Sequence, residues 1–256
     1  MRPPIDHSEL SFAQLYELPE YASQKDEFFS TLRKQTKTEA AFIAAVAKLK
    51  YDWNFNARPK QRIPESDWFI WLIRSGRGFG KSRSGAEWIK FKEAEARRAK
   101  TPINIGLVGD IYTDIVDAQV KAILDCYAPG DQNKPEFVNQ QLVWKSGTIA
   151  YLIQAETPKK FRSKNLHCAW VDELAKFQYP QKAWDGLLFA VRKGEKPQIL
   201  VTTTPATRAK QLLKKMADGE YGPCEVTRGN SYENASGLSA RYFETVLKPF
   251  EGTRLG

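Results

Sequence analysis

Eight consecutive residues, Ser75-Gly76-Arg77-Gly78-Phe79-Gly80-Lys81-Ser82, set three glycines, a lysine and a hydroxyl in the order a phosphate-binding turn requires. The backbone N–H groups of such a turn can converge on phosphate oxygens. A helix beginning at its end adds partial positive charge. In that arrangement Lys81 reaches the β- and γ-phosphates and the Ser82 hydroxyl ligates Mg²⁺. The usual pattern is GxxxxGK[ST], and Ser75 stands at its first glycine. The bland alternative is an ordinary strand-to-helix turn. The Gly80-Lys81-Ser82 triplet after an apolar strand favours the phosphate loop.

A nucleotide-hydrolysing site also needs carboxylates. The run Leu166-His167-Cys168-Ala169-Trp170-Val171-Asp172-Glu173 reads as a buried strand ending in two adjacent acids. Ligands of open α/β sheets bind beyond the carboxyl ends of strands. Asp172 would sit near Mg²⁺, and Glu173 would polarise the attacking water as general base. Alone, the pair also suits a strand ending in solvated acids; together with Lys81 it points to a site. A further strand, Ile199 to Pro205, ends in Thr202, Thr203 and Thr204, whose hydroxyls could sense the γ-phosphate or the hydrolytic water. A β-branched strand capped by a turn would look the same.

Positioning these groups requires strands alternating with helices. Strand-like runs occur at Trp68–Ile73, Ile103–Val108, Cys168–Val171 and Ile199–Thr203. Helix-like runs occur at Ser82–Lys100, Asp114–Leu124, Gln181–Val191 and Ala209–Ala217. Leu142–Trp144 and Thr148–Ile153 flank Ser146-Gly147 and predict a hairpin. The alternation predicts a mainly parallel sheet covered on both faces. Residues 1 to 50 read as a separate small helical subdomain, with Phe42, Ile43, Val46 and Leu49 at helical spacing behind the N-cap candidate Thr38.

The 256 residues are enough for one large domain plus a small subdomain. Seven Trp and fourteen Phe can fill a core, which excludes wholesale disorder. No run approaches the roughly 18 apolar residues of a membrane span, and the N-terminus has no apolar secretion signal. Cys126, Cys168 and Cys224 lie far apart, as expected of reduced thiols in a cytosol. Two histidines leave almost no ligands for zinc. The net charge of +9 suits a polyanionic partner, and equally a merely soluble basic protein.

Together these pieces resemble the ATPase domain of the large terminase subunit of tailed phages, the motor that packages viral DNA. The resemblance rests on Ala57-Arg58-Pro59-Lys60-Gln61, Trp71-Leu72-Ile73, Gly76 through Trp88, Val171-Asp172-Glu173 and Thr202-Thr203-Thr204-Pro205. It continues through Thr227-Arg228-Gly229-Asn230-Ser231-Tyr232-Glu233-Asn234 to Tyr242, and Glu251 to Gly256 also fit the family. It covers residues 51 to 256, whereas residues 1 to 50 carry no matching motif. It implies an α/β P-loop NTPase fold of the RecA-like/ASCE type, with a small N-terminal helical subdomain (1–50) before the ATPase domain (51–256). In the family an RNase-H-like nuclease domain follows, so a fragment without nuclease activity is the expectation.

The resemblance also assigns residues. Arg77 matches the arginine of the terminase phosphate loop. Arg162 matches an arginine that acts in trans on a neighbouring subunit's ATP, with Ser163 standing where many relatives have Gly. Gln61 matches an adenine-contacting glutamine, and Asn230 lies in a stretch that couples hydrolysis to movement. The implied cofactors are ATP and Mg²⁺. The implied partners are double-stranded DNA, further copies in a ring (a pentamer by resemblance), a portal and the small terminase subunit, in the host cell cytoplasm and without a membrane. Lys90, Lys92, Arg97, Arg98 and Lys100 form one basic cluster and Arg208, Lys210, Lys214 and Lys215 another. Either could touch DNA phosphates or be a solvated helix face. Two further readings remain: a helicase-like translocase using Thr202 to Thr204 for coupling, and a nucleotide-gated assembly module without turnover.

Overall fold

The structure, a computed structural model, describes residues 10–157, 161, 163–204, 206–231, 233–234, 241 and 245. The chain divides at Arg62/Ile63 into two compact units. Residues 51–62, grouped with the ATPase domain by their motif, pack with the N-terminal helices.

The first unit holds helices α1 (Phe12–Leu15), α2 (Ala22–Thr36), α3 (Glu39–Leu49) and α4 (Trp53–Asn56). Local side chains start several of them. Ser11 and Gln14 form a reciprocal capping box at α1, Thr38 accepts from the Ala41 N–H at α3, and Asp52 caps α4. Lys37, at φ 58°, breaks α2 from α3. Tyr16, Phe28 and Phe55 cluster with ring centroids 5.6–5.9 Å apart. No residue of these four helices is fully buried, and Ile43, on the expected apolar stripe of α3, is 60% exposed.

The second unit is a sheet of eight strands between helices. The strands are β1 (Ile70–Ser75), β2 (Asn104–Gly109), β3 (Glu136–Val138), β4 (Gln141–Val143), β5 (Ile149–Gln154), β6 (Cys168–Asp172), β7 (Gln198–Thr203) and β8 (Cys224–Gly229). Their order is β3-β4-β5-β2-β6-β7-β1-β8. From β5 to β8 every pair is parallel, while β3 and β4 add an antiparallel edge. The expected α/β architecture is therefore present, with the hairpin at Ser146-Gly147.

Central parallel strands are apolar on both faces because helices cover both. In β1, Ile70 and Leu72 enter one core with Trp184, Leu187, Leu212 and Met216 of the helices Pro180–Ala190 and Lys210–Ala217. Trp71 and Ile73 enter the opposite core, with Trp88 and Ile89 of helix α5 (Lys81–Arg98). Trp170 of β6 lies so close to α5 that a Cβ on Gly85 would be 2.2 Å from its Cε2.

Three features differ from the sequence reading. The helix expected over 114–124 is three successive stretches, Tyr112–Asp114, a π-helical Ile115–Val120 and Lys121–Asp125. Strand β3 is a three-residue edge, and β8 is half-buried beside β1; neither has a run of apolar residues to announce it.

Candidate phosphate and carboxylate site

Register brings the chemical groups to one edge of the sheet. β1 ends at Ser75 beside Gly229 of β8, and Asp172 of β6 pairs with Thr202 of β7. The glycine-rich turn leaves β1 at its carboxyl end. Gly78 and Gly80 sit at φ 79° and 96°, where a side chain would be strained. Gly80 O accepts from the Ser84 N–H at 3.0 Å, which begins α5.

Lys81, in the first turn of α5 and 8% exposed, folds back over the loop. Its ammonium donates to Ser75 O and Gly76 O, both at 3.1 Å, and to Thr204 Oγ1 at 3.2 Å. Glu173 Oε1 is 3.8 Å from it. Burial pulls the Lys81 pKa below the ordinary lysine value, opposed chiefly by Glu173 and then Asp172. Ser82, beside it, makes no hydrogen bond through its hydroxyl among the described residues, leaving that oxygen free for a ligand.

The carboxylate pair is held by β7. Thr202 Oγ1 donates to Asp172 Oδ1 at 2.6 Å and accepts from the Trp170 indole N–H at 2.8 Å. Burial pushes the Asp172 carboxyl up to about 6; the Thr202 bond works against this. Glu173 turns sharply out of β6 with φ 51° and ψ 43°, its N–H bonded to Thr202 O at 2.7 Å. Its carboxylate accepts from the Thr204 N–H at 3.1 Å and the Thr204 hydroxyl at 3.0 Å. Thr203 Oγ1 accepts from the Ala175 N–H, fixing the turn behind Glu173. Thr202 and Thr204 are thus committed to the two acids, and Thr203 to the turn behind them. Trp170 joins them through Thr202, a link hidden from the sequence because it depends on which strand lies beside β6 and in what register.

Beyond Asp172 and Glu173 opens an acidic cavity of about 260 Å³, lined also by Asp110, Asp114, Asp117 and Lys176. Among the described residues no group of three His, Cys, Asp or Glu side chains could hold a metal ion by itself. The free Ser82 hydroxyl and the half-buried Asp172 fit a different arrangement. Mg²⁺ commonly takes one or two protein oxygens and completes its shell with phosphates and water.

Other expected residues are not drawn into this cluster. The Arg77 side chain is exposed, and among the described residues it makes no hydrogen bond. Gln61 belongs to the first unit, is buried, and accepts from the Arg58 N–H and Nε at 3.3 and 3.1 Å. Asn230 follows β8; its N–H and side chain exchange hydrogen bonds with Glu233. Arg162, Pro205, Tyr232, Tyr242 and Glu251–Gly256 lie outside the described residues.

A parallel sheet with a glycine-rich turn after β1 and two acids ending β6, the next strand but one, defines an α/β fold of the RecA-like P-loop type. Residues 72–248 match the family described as terminase large subunit, T4likevirus-type, N-terminal, and the chain belongs to that family. The fold is also similar to solved structures at low identity. The large terminase of the thermophilic bacteriophage D6E in complex with ADP superposes with a TM-score of 0.57 at 14% identity, over 77% of this chain and 47% of that one. The large terminase ATPase domain of Thermus phage P74-26 gives 0.54 at 14% identity, over 78% and 91%. The chain thus spans about half of the D6E protein it matches. None of the curated proteins compared matches it.

Proposed function

We propose that the chain is an ATP-hydrolysing motor domain that translocates double-stranded viral DNA into a procapsid. One observation carries the hydrolytic reading: the Thr204 hydroxyl joins Lys81 to Glu173, so the start of α5 and the ends of β6 and β7 meet at a single point. Lys81 donates to loop carbonyls and lies 3.8 Å from Glu173. A triphosphate offers the ammonium better partners, and Glu173 is then released toward a water molecule, from which it withdraws a proton as general base. Ser82 and Asp172 would hold Mg²⁺, which neutralises charge on the β- and γ-oxygens. Arg77, free and exposed, would close on the phosphates. Thr202, Thr203, Thr204 and Asn230 would pass the change at the γ-phosphate to the rest of the domain. The D6E relative holds ADP, and the same class of ligand is proposed here.

Arg162 of a neighbouring copy would complete the site in a homo-oligomeric ring, pentameric by family resemblance. The ring would work on a portal with the small subunit in the host cytoplasm. No described helix is long and apolar enough to cross a membrane. Of the two basic clusters, that on α5 is largely occupied by its own acids: Lys90 with Glu87, Lys92 with Glu95 and Arg97 with Glu93. The Arg208–Lys215 cluster is partly paired as well, Lys214 with Asp218 and Lys215 with Glu220, so both clusters are candidates for DNA phosphates, through Lys100 and Lys210, which have no such partner among the described residues.

The test is steady-state ATPase activity against protein concentration for the wild type and Glu173→Ala. Activity per subunit that rises with concentration and vanishes in the variant supports a hydrolytic site completed by a neighbour. Activity that is independent of concentration but lost in the variant keeps the ATPase and removes the trans arginine. ATP binding without turnover at any concentration overturns the motor reading in favour of a nucleotide-gated assembly module.

A further inference from the structure

The end of β8 and the residues following it hold the backbone of the phosphate loop. Ser231, itself buried, donates its hydroxyl to Arg77 O. Asn234 donates its side-chain amide to Gly78 O at 2.7 Å. One residue earlier in the loop, the Gly76 N–H donates to Gly229 O at 3.3 Å. The fit is close on both sides. A Cβ on Gly76 would lie 2.8 Å from Ser231 Oγ, and one on Gly229 would lie 2.1 Å from the fully buried Phe79 ring.

These contacts fix direction as well as position. In a trans peptide the C=O and the following N–H point opposite ways. By holding the Arg77 carbonyl, Ser231 turns the Gly78 N–H away from itself. By holding the Gly78 carbonyl, Asn234 does the same for the Phe79 N–H. Those are the donors a bound phosphate needs. Gly78, at φ 79°, is a position where a peptide plane turns over at little cost unless something holds it. We propose that Ser231 and Asn234 are positioning residues of the phosphate loop, keeping its N–H groups aimed at the nucleotide's phosphates before the nucleotide arrives. The proposal rests on reading the loop as a nucleotide site. It gives the stretch after β8 a mechanical role: whatever moves that stretch moves the loop donors.

Binding of ADP and of AMP by calorimetry tests this, in the wild type and in Ser231→Ala, Asn234→Ala, Asn234→Asp and Lys81→Ala, with melting temperatures measured alongside. Losing one positioning hydrogen bond should weaken ADP about fivefold. Asn234→Asp, nearly isosteric, should weaken it further, because a carboxylate then faces the Gly78 carbonyl. AMP, lacking the β-phosphate, should change less than twofold, and the Asn234→Asp melting temperature should stay near that of the wild type. For ATP turnover, KM should rise while kcat holds. If the wild type binds ADP, Lys81→Ala abolishes it, and the Ser231 and Asn234 variants bind like wild type, the positioning role is refuted while the nucleotide site stands. Equal weakening of AMP and ADP also refutes it, since the loss then has no connection to the loop donors. A wild type that binds no ADP removes the nucleotide reading and this role with it.

Discussion

Asp172→Asn should make the ligand-free protein more stable at neutral pH, even though it removes a group proposed to face Mg²⁺. The cause is burial. Desolvation at the end of β6 lifts the Asp172 carboxyl from 3.8 to about 6; Thr202, Lys81 and Lys176 pull it down and Glu173 adds to the rise. A raised carboxylate pKa favours the folded state only while the group is protonated there. That contribution is fully present below about pH 4 and is lost as pH rises through about 6. At pH 7.5 the wild type therefore carries a buried charge worth up to about 3 kcal/mol, at about 1.4 kcal/mol per pKa unit. Asparagine keeps a carbonyl oxygen for the Thr202 hydroxyl and carries no charge.

Because the Asp172 side borders the open acidic cavity, solvent screening lowers the expected gain to about 1–3 kcal/mol. Urea unfolding followed by tryptophan fluorescence, without nucleotide and with chelator, measures it. The advantage of the variant should fall from that value at pH 7.5 to about 1 kcal/mol or less at pH 4.5. Adding Mg²⁺ and ADP should stabilise the wild type more than the variant. A variant equal to or less stable than wild type at pH 7.5 would refute the burial argument. So would an advantage that does not shrink with pH.

Thr204→Val removes the acceptor for Lys81 and the donor to Glu173 at constant shape. Its kcat should drop on the order of tenfold with ADP affinity within about threefold, and Thr204→Ser should restore turnover; failure of the serine variant to rescue counts against the bridge. Gly85→Ala forces a Cβ to within 2.2 Å of the Trp170 ring, and it should cost about 1–3 kcal/mol in thermal or urea unfolding. An unchanged stability would mean that α5 and β6 are not so tightly apposed. Burial pushes the Cys168 thiol to about 12 and the Cys224 thiol to about 11, and lifts Cys126 as well. With a thiol reagent at pH 8 the half-buried Cys224 should react first and slowly, and Cys126 and Cys168 only on unfolding.

What the sequence revealed was local chemistry. The Gly80-Lys81-Ser82 turn and the Asp172-Glu173 pair could be read because their residue types at adjacent positions have few other uses after apolar strands. Strands β1, β2, β6 and β7 could be read because double-sided burial makes them almost continuously apolar. Strand β8 could not: Glu225 and Arg228 interrupt it, as an edge strand tolerates, and only its register with β1 reveals it. The partners chosen by Thr202 and Thr204 were also hidden, because a hydroxyl's bond depends on which strand lies beside it. Ser231 and Asn234 carried a family motif in the sequence, but their purpose needed the loop carbonyls to be seen. Residues 51–62 carry part of the family motif, and their local packing follows from the Asp52 cap and from Phe55, which stacks with Phe28.

Glu173 shows why β7 matters most to this site. A non-glycine residue at φ 51° and ψ 43° costs about 1 kcal/mol in the backbone. Glycine or asparagine would adopt the turn more easily, so the carboxylate is present for its side chain and not for the turn. The strained geometry persists because β7 binds it at three points: Thr202 O on its N–H, and the Thr204 N–H and hydroxyl on its carboxylate. The same strand holds Asp172 through the Thr202 hydroxyl and touches Lys81 through Thr204. A small shift of the carboxyl end of β7 therefore cannot alter one of these three groups alone. It changes the support of Lys81, Asp172 and Glu173 together. The proposed coupling of phosphate occupancy to movement through Thr202–Thr204 would use that shared support, which makes Thr204→Val, cutting two of the links at once, a sharper probe of the proposal than removal of any single acid.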